Sequence, residues 1–213
     1  MSAIPGTVGA APIQNIGAYG VELKDVLKSV EFFDIETKEF RIIENKDCNF
    51  GYRTSIFKNK LKNKSIVVSV NLELLLQKSP NLNYADLKSL LHLENISLKD
   101  IRNEVVRVRS NKLPDYKKLG NCGSFYKNAI VDKTTFEELK QKYAQIPNYP
   151  QIDEVKIPTA WLIETAGLKG FRKGNVGIYE KHSLIVVNYG NATGVEILQF
   201  SELVEKRVFE QFG

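Results

Sequence analysis

Four segments of this 213-residue chain hold residue types that chemistry uses. The first runs from Ile4 to Gly20, IPGTVGAAPIQNIGAYG, and contains four of the fourteen glycines. Small residues let backbone amides approach a phosphate or a flat ring closely; a set of tight turns between strands explains the same composition. The second, Phe50-Gly-Tyr-Arg-Thr-Ser55, places Arg53 among aromatics. A guanidinium there suits two-pronged contact with a carboxylate, or it is an ordinary surface charge. The third joins Lys112-Leu-Pro-Asp115 to Leu119-Gly-Asn-Cys-Gly-Ser-Phe-Tyr-Lys-Asn128. Two glycines frame the Ser124 hydroxyl, while Lys112, Lys127 and Asn128 supply donors; a plain glycine turn is the alternative. Ser124 as an acyl-transfer nucleophile would need a histidine, and His92 and His182 come with no triad motif. Cys122 has no nearby partner and reads as a packed thiol. The fourth, Ile146-Pro-Asn-Tyr-Pro-Gln151, stiffens Tyr149 between two prolines. Tyr84 lies on a polar loop and is equally open to either reading.

These segments need elements to hold them. Val30–Phe33 and Phe40–Ile43 predict a hairpin across a polar connection, and 66–74 predicts a strand, β-branched and then alternating. The composition turns polar from Lys78 to Asn83, the expected domain boundary. Beyond it, Ser97-Leu-Lys-Asp100 predicts a cap, with Ile101, Val105 and Val108 at helical spacing. A second cap is expected at Thr134 to Glu137, opening a helix through Tyr143. Pro158 starts a short apolar helix closed at Gly167. Tyr179 and Ser183–Asn188 suggest a hairpin, and Thr193-Gly-Val-Glu196 a capping box for a last helix. Strands mixed irregularly with helices predict an α+β fold rather than a βαβ series.

Composition bounds what this scaffold serves. Lys and Arg total 30 against 25 Asp and Glu, for a net charge of +5. That permits an anionic ligand, but the charges are spread from Lys24 to Arg207 with no aromatic-studded basic stripe, so nucleic acid is not expected as a partner. The apolar runs, such as Ile66 to Val70, fall far short of the roughly 20 residues that cross a bilayer, so no membrane association is expected. Two cysteines, Cys48 and Cys122, are too few for a disulfide framework or a zinc site, and a reducing cytoplasm fits them. The glycine segment has no strand before it, and the last helix ends at a glycine that usually leads onward. Both ends are therefore expected to be cuts.

Taken in order, IPGTVGAAPIQNIGAYG, FGYRTSIFK, KLPDYKKLGNCGSFYKN, IPNYPQ and AWLIETAGLKGFRKGNVGIYEKHSLIVVNYGNATG resemble the UDP-N-acetylenolpyruvoylglucosamine reductase (MurB) family. The likeness covers essentially the whole chain, and the Tyr84 loop resembles the first, longer type of that family. It implies a flavoenzyme of peptidoglycan precursor synthesis. NADPH reduces bound FAD, and hydride passes to the enolpyruvyl group of UDP-N-acetylglucosamine enolpyruvate, giving UDP-N-acetylmuramate. Hydride arriving at the terminal carbon builds charge toward the adjacent carboxylate, so a cation is needed there; the resemblance gives that role to Arg53. It makes Ser124 the general acid that protonates the neighbouring carbon. Ile4, Pro5, Gly6, Gly9, Ala10, Gln14, Ile16 and Gly17, with Arg53, match part of the FAD cradle. Tyr84, Lys112, Asn128, Tyr149 and His182 match substrate-binding positions.

The resemblance also implies the architecture: the remainder of a PCMH-type FAD-binding domain over 1–77, then a substrate-binding MurB C-terminal domain over 78–213. A cytoplasmic monomer is expected, with no metal. Against the family pattern, an upstream glycine-loop segment and a downstream glutamate segment that completes the catalytic set do not occur here. The chain is thus expected to be an interior portion of the enzyme, inactive and a poor FAD binder by itself. A non-catalytic UDP-sugar-binding chain is the alternative.

Overall fold

The computed structural model describes residues 1–76, 82, 84–92 and 95–213. They form two compact units, Met1–Val108 and Arg109–Gly213. The boundary expected at 77/78 falls outside the described residues. Strands and helices are mixed in both, as an α+β fold requires.

In the first unit the glycine segment winds into a 3-10 turn, Val8–Gln14, and then a minimal hairpin of β1 (Gly17–Ala18) and β2 (Val21–Glu22). Tyr19 and Gly20, the two central residues, both have positive φ (56° and 75°), the geometry that two-residue hairpins favour. Next come β3 (Leu27–Asp34), β4 (Glu39–Glu44) and β5 (Ser65–Leu72), an antiparallel sheet ordered β4-β3-β5. The expected hairpin is present. Its connection is held by the Asp34 carboxylate, which accepts from the amides of Glu36 and Thr37 at 3.0 and 3.2 Å. Alternation at the start of β5 turns Val67 toward the core and leaves Ile66 and Val68 exposed; the register then shifts between Val67 and Ser69, and Val70 packs on the core as well. Leu23, Leu27, Val30, Phe32, Cys48 and Phe57 fill that core. Helix α1 (Leu98–Lys112) starts where the Ser97 cap predicts: the Ser97 Oγ accepts from the Asp100 amide at 3.2 Å, and the Asp100 carboxylate accepts from the Ser97 amide at 3.0 Å. Val105 on this helix packs with Leu82, Leu87 and Leu90.

The second unit has two antiparallel sheets. One joins β6 (Gly120–Ser124), β10 (Arg172–Lys173), β11 (Val176–Ile178) and β12 (Ile185–Asn188) in the order β10-β11-β12-β6. The other joins β7 (Ala129–Asp132), β8 (Tyr149–Pro150) and β9 (Glu154–Ile157) in the order β7-β9-β8. Helices α2 (Lys133–Lys142), α3 (Thr159–Thr165) and α4 (Gly194–Phe212) complete the unit. Ile163 of α3 and Phe200 and Val204 of α4 pack with Val176, Ile178 and Val186 of the first sheet. Burying each such side chain stabilises the fold by about 1.5–3 kcal/mol. Gly177 is required by closeness, since a Cβ there would lie 2.9 Å from the Phe171 carbonyl oxygen.

The capping box of α4 forms as expected, the Glu196 carboxylate accepting from the Thr193 amide at 2.7 Å. The cap of α2 differs. Asp132, not Thr134, is the N-cap, and its carboxylate accepts from the Thr135 amide at 2.8 Å. Strand pairing decides this: Asp132 is the last residue of β7, opposite Glu154, so the helix opens directly at Lys133, two residues earlier than the expected cap would place it. Among the described residues no helix is long and apolar enough to cross a membrane.

Candidate functional sites in the two units

In the first unit the segment 4–17 is tied down by the turn that follows Phe50. Gly51 and Thr54 pair as an isolated bridge, leaving Tyr52 and Arg53 at the tip. Arg53 sits there with φ of 54°, the left-handed region that costs a residue with a Cβ roughly 1–2 kcal/mol. Its guanidinium donates to the carbonyl oxygens of Asn15 at 3.3 Å and Gly17 at 2.9 Å. The buried Ser55 hydroxyl donates to the Ile13 carbonyl oxygen at 2.8 Å and accepts from the Phe57 amide. Carbonyls 13, 15 and 17 are thus all taken by one short turn. The guanidinium also lies 5.5 Å from the centre of the Tyr52 ring.

Asn15 is the joint of this arrangement, and it is fully buried. Its amide nitrogen donates to the Glu22 carboxylate at 3.0 Å and to the Gly51 carbonyl oxygen at 3.2 Å; its amide oxygen accepts from the Lys24 backbone at 3.0 Å. Asn15 ends the 3-10 turn with φ of 46°, which asparagine tolerates better than most residues. Toward solvent the segment is open: Pro5, Gly6, Ala10 and Gln14 are exposed, while Ile4, Gly9, Ile16 and Gly17 are half-buried. Gly6 has φ of 106°, and a Cβ there would meet nothing within 4 Å. Gly17 serves the hairpin instead, since its Cβ would lie 2.9 Å from the Val21 carbonyl oxygen. Tyr84 stacks edge-on against Tyr19, ring centres 5.1 Å apart, which sets it against the end of the same segment.

In the second unit Ser124 is exposed at the end of β6, opposite Ile185. The register slips between Ile185 and Val187, and Gly123 takes φ of 76°, so a bulge turns the chain just before the hydroxyl. The Asn121 side chain fastens the bulge, accepting from the Gly123 amide at 3.0 Å. The segment is a strand, not the glycine turn that its composition also allowed. The next amide, of Phe125, donates to the Leu184 carbonyl oxygen at 2.7 Å, which ties Ser124 to the turn carrying His182. The His182 ring is half-buried, and burial lowers its pKa first; the nearby Lys112 charge lowers it further. The turn carrying His182 is thus tied by its backbone to the chain after Ser124 and feels the charge of Lys112.

Asn128 is placed differently. Its side-chain oxygen accepts from the Thr159 amide at 3.2 Å, joining the chain after β6 to the start of α3. Tyr149 stands exposed on β8, with the Lys156 ammonium 5.3 Å from its ring centre. Asn15, Ser55, Glu164 and Ser183 carried no role in the sequence. Asparagine inside a glycine-rich stretch, two positions before Gly17, is the one local signal that could have singled out Asn15.

Residues 114–213 match the C-terminal domain of UDP-N-acetylenolpyruvoylglucosamine reductase. The whole chain is similar to proteins of that name: 49% identical to the one from Flavobacterium johnsoniae, of which it covers 65%, and 47% identical to the one from Shewanella baltica, of which it covers 62%. The relative from Neisseria gonorrhoeae is 43% identical, with 63% of its length covered. The chain thus spans a little under two thirds of the curated relatives that it matches. Among solved structures, the crystal structure of UDP-N-acetylenolpyruvylglucosamine reductase (MurB) from Thermus caldophilus superposes with a TM-score of 0.60 at 25% identity, over 96% of this chain and 57% of that one.

Proposed function

We propose that the chain belongs to the UDP-N-acetylenolpyruvoylglucosamine reductase family and supplies the substrate-handling part of the reduction of UDP-N-acetylglucosamine enolpyruvate to UDP-N-acetylmuramate. Similarity along the entire chain, at 49% identity to one relative, carries this reading. In it the protein works as a cytoplasmic monomer in peptidoglycan precursor synthesis, with NADPH as reductant and FAD as cofactor, and needs no nucleic acid, membrane or metal. The residues present fit part of a flavin cradle in one respect: Gly6 and its exposed neighbours leave bare backbone that a flat ring can approach.

Bound flavin supplies the hydride taken from NADPH. The protein handles the charge and the proton. As hydride reaches the terminal carbon of the enolpyruvyl group, the adjacent carbon and its carboxylate gain electron density. Arg53, held by the Asn15 and Gly17 carbonyls, is a pre-oriented cation whose remaining N–H groups can bind that carboxylate. Ser124, on its bulge, donates a proton to the adjacent carbon and regains one from water. The C=C double bond becomes a C–C single bond with one hydride and one proton added. Lys112 and His182 suit the diphosphate, and Asn128, Tyr149 and Tyr84 the sugar and uridine.

Grafting residues 1–213 in place of the matching stretch of the Flavobacterium johnsoniae reductase tests these roles. The chimera should oxidise NADPH with the enolpyruvyl substrate, and Ser124→Ala should lower kcat by ~100-fold or more. An active chimera indifferent to Ser124→Ala would overturn the assignment of the general acid. The 213 residues alone are proposed to be inactive and to hold FAD poorly. Purification as a stoichiometric yellow protein that turns over NADPH would refute this.

A second reading has its own support in the fraction of the relatives spanned: a chain that keeps affinity for the UDP-sugar and does no redox chemistry. Heat of binding to a UDP-sugar without flavin, measured by calorimetry, favours it.

A further inference from the structure

The turn between β11 and β12, residues 179–184, carries His182 next to a buried serine. Tyr179 and Ile185 close its base, the Tyr179 amide donating to the Ile185 carbonyl oxygen at 2.8 Å. Inside, the His182 amide donates to the Tyr179 carbonyl oxygen at 3.2 Å. Ser183 is 1% exposed, and its hydroxyl donates to the Glu164 carboxylate on α3 at 2.7 Å. The same carboxylate oxygen accepts from the Lys169 ammonium at 3.0 Å, so two donors from different segments fix one acceptor. Hydrogen bonds from Ser183 and Lys169 outweigh the burial that would raise the Glu164 pKa, and the group stays anionic. On the other side of Ser183, the His182 Nδ1 accepts from the Leu184 amide at 3.4 Å. That turns the Nδ1 edge of the ring toward its own turn.

We propose that Ser183 and Glu164 are positioning residues, which pin this turn to α3 so that His182 is held with Lys112 as a contact for the oxygens of a nucleoside diphosphate. Residues 182 and 183 share a peptide plane, so anchoring the serine fixes where the histidine Cα lies and which way its side chain leaves the turn. A buried hydroxyl bonded to an ionised acceptor on another element is a strong tether. Lys169 helps keep the carboxylate in place by donating to the same oxygen that accepts from Ser183. The inference rests on reading Lys112 and His182 as ligand contacts.

Two measurements on the 213-residue protein separate the tether from that reading. The first uses no ligand. With two histidines in the chain, the ring nitrogen resonances of His182 are identified by His182→Gln and followed in the variants. Ser183→Ala and Glu164→Ala should move them toward the averaged values of a mobile ring. Glu164→Gln, which keeps an acceptor for the Ser183 hydroxyl, should leave them near wild type. Unchanged resonances in both alanine variants would overturn the proposal; since Glu164 is an exposed residue, its variants keep the test valid even if Ser183→Ala fails to fold. The second titrates uridine diphosphate by calorimetry. Ser183→Ala and His182→Ala should each weaken binding ~10-fold, and the double variant no further, because the serine acts through the histidine. Additive losses would overturn the proposal. Binding unaffected by Lys112→Ala and His182→Ala would sink the ligand reading and leave the tether to be judged by the ring resonances.

Discussion

The Arg53 guanidinium donates to the carbonyl oxygen of Gly17 at 2.9 Å, across 36 positions of sequence. One side chain thereby joins a two-residue turn tip to the start of a two-residue hairpin, two pieces too small to be stable alone. The Asn15 carbonyl at 3.3 Å gives the guanidinium a second hold on the same segment. The side chain proposed above as the catalytic cation is thus also a structural clamp.

Removing that clamp should cost stability independently of any catalytic role. Arg53→Ala loses two charge-assisted hydrogen bonds, and we expect about 1.5–3 kcal/mol of destabilisation in urea unfolding. Arg53→Gly loses the same bonds but relieves the positive φ, so it should be milder than alanine by up to about 1 kcal/mol. Arg53→Lys, able to reach one carbonyl at a time, should fall between alanine and wild type. Equal stability of alanine and wild type would show that the two bonds carry no net energy.

Asn15 should be the most sensitive position of the glycine segment. Asn15→Ala strands the Lys24 amide, takes a donor from the Gly51 carbonyl and the Glu22 carboxylate, and forces alanine into φ of 46°. A loss of about 2–4 kcal/mol is expected. Asn15→Asp keeps the acceptor and tolerates the backbone, yet sets a buried carboxylate against Glu22. It should therefore be as damaging as alanine at neutral pH and recover part of its stability in acid. Thermal melts at pH 7 and pH 5 distinguish the two variants.

Acid should also weaken the first unit through Glu104. Arg107 first, and the Ser89 hydroxyl second, hold its carboxyl down at about 2, below the ordinary 4.5. A folded-state pKa below the unfolded value means stability that is present above pH 4.5 and lost as pH falls toward about 2. Glu104→Gln should flatten that part of the stability curve by lowering stability at neutral pH, and leave the most acid end little changed. The same slope in wild type and variant would assign the acid sensitivity elsewhere.

The two thiols should differ sharply toward an alkylating reagent. Cys48 is fully buried, and its pKa is pushed up to about 11 by burial, with Asp47 and Glu44 adding to the shift. Cys122 is exposed on β6. Brief maleimide treatment at neutral pH should add one adduct to the native protein and two in denaturant, read by mass. Two adducts in the native protein would mean that the core around Cys48 opens readily.

Local signals in the chain foretold the elements that depend on local chemistry. Ser97 with Asp100 and Thr193 with Glu196 cap helices where they are read, because a cap needs only its own next three residues. Gly167, with φ of 71°, ends α3 for the same reason. The hairpin of β3 and β4 was legible from alternation and a polar connection. Gly120–Ser124 and Tyr149–Pro150 were not legible as strands: one is rich in glycine and the other holds proline. They become strands because Ile185–Asn188 and Val155–Lys156 offer them partners.

The site divides along the same line. The residue types that could bind a carboxylate, give a proton or face a diphosphate stand in the sequence in five ordered blocks, and those blocks alone carry the resemblance to the family. What the tertiary structure decided is how each group is held. Hydrogen bonds across 36, 38 and 42 positions fasten the glycine segment through Arg53 and Ser55. One spanning 19 positions ties Ser183 to Glu164 beside His182. Such bonds leave no periodicity or motif, because they depend on which backbone carbonyls and carboxylates the fold brings within 3 Å or so of a donor. Only the packed chain settles that.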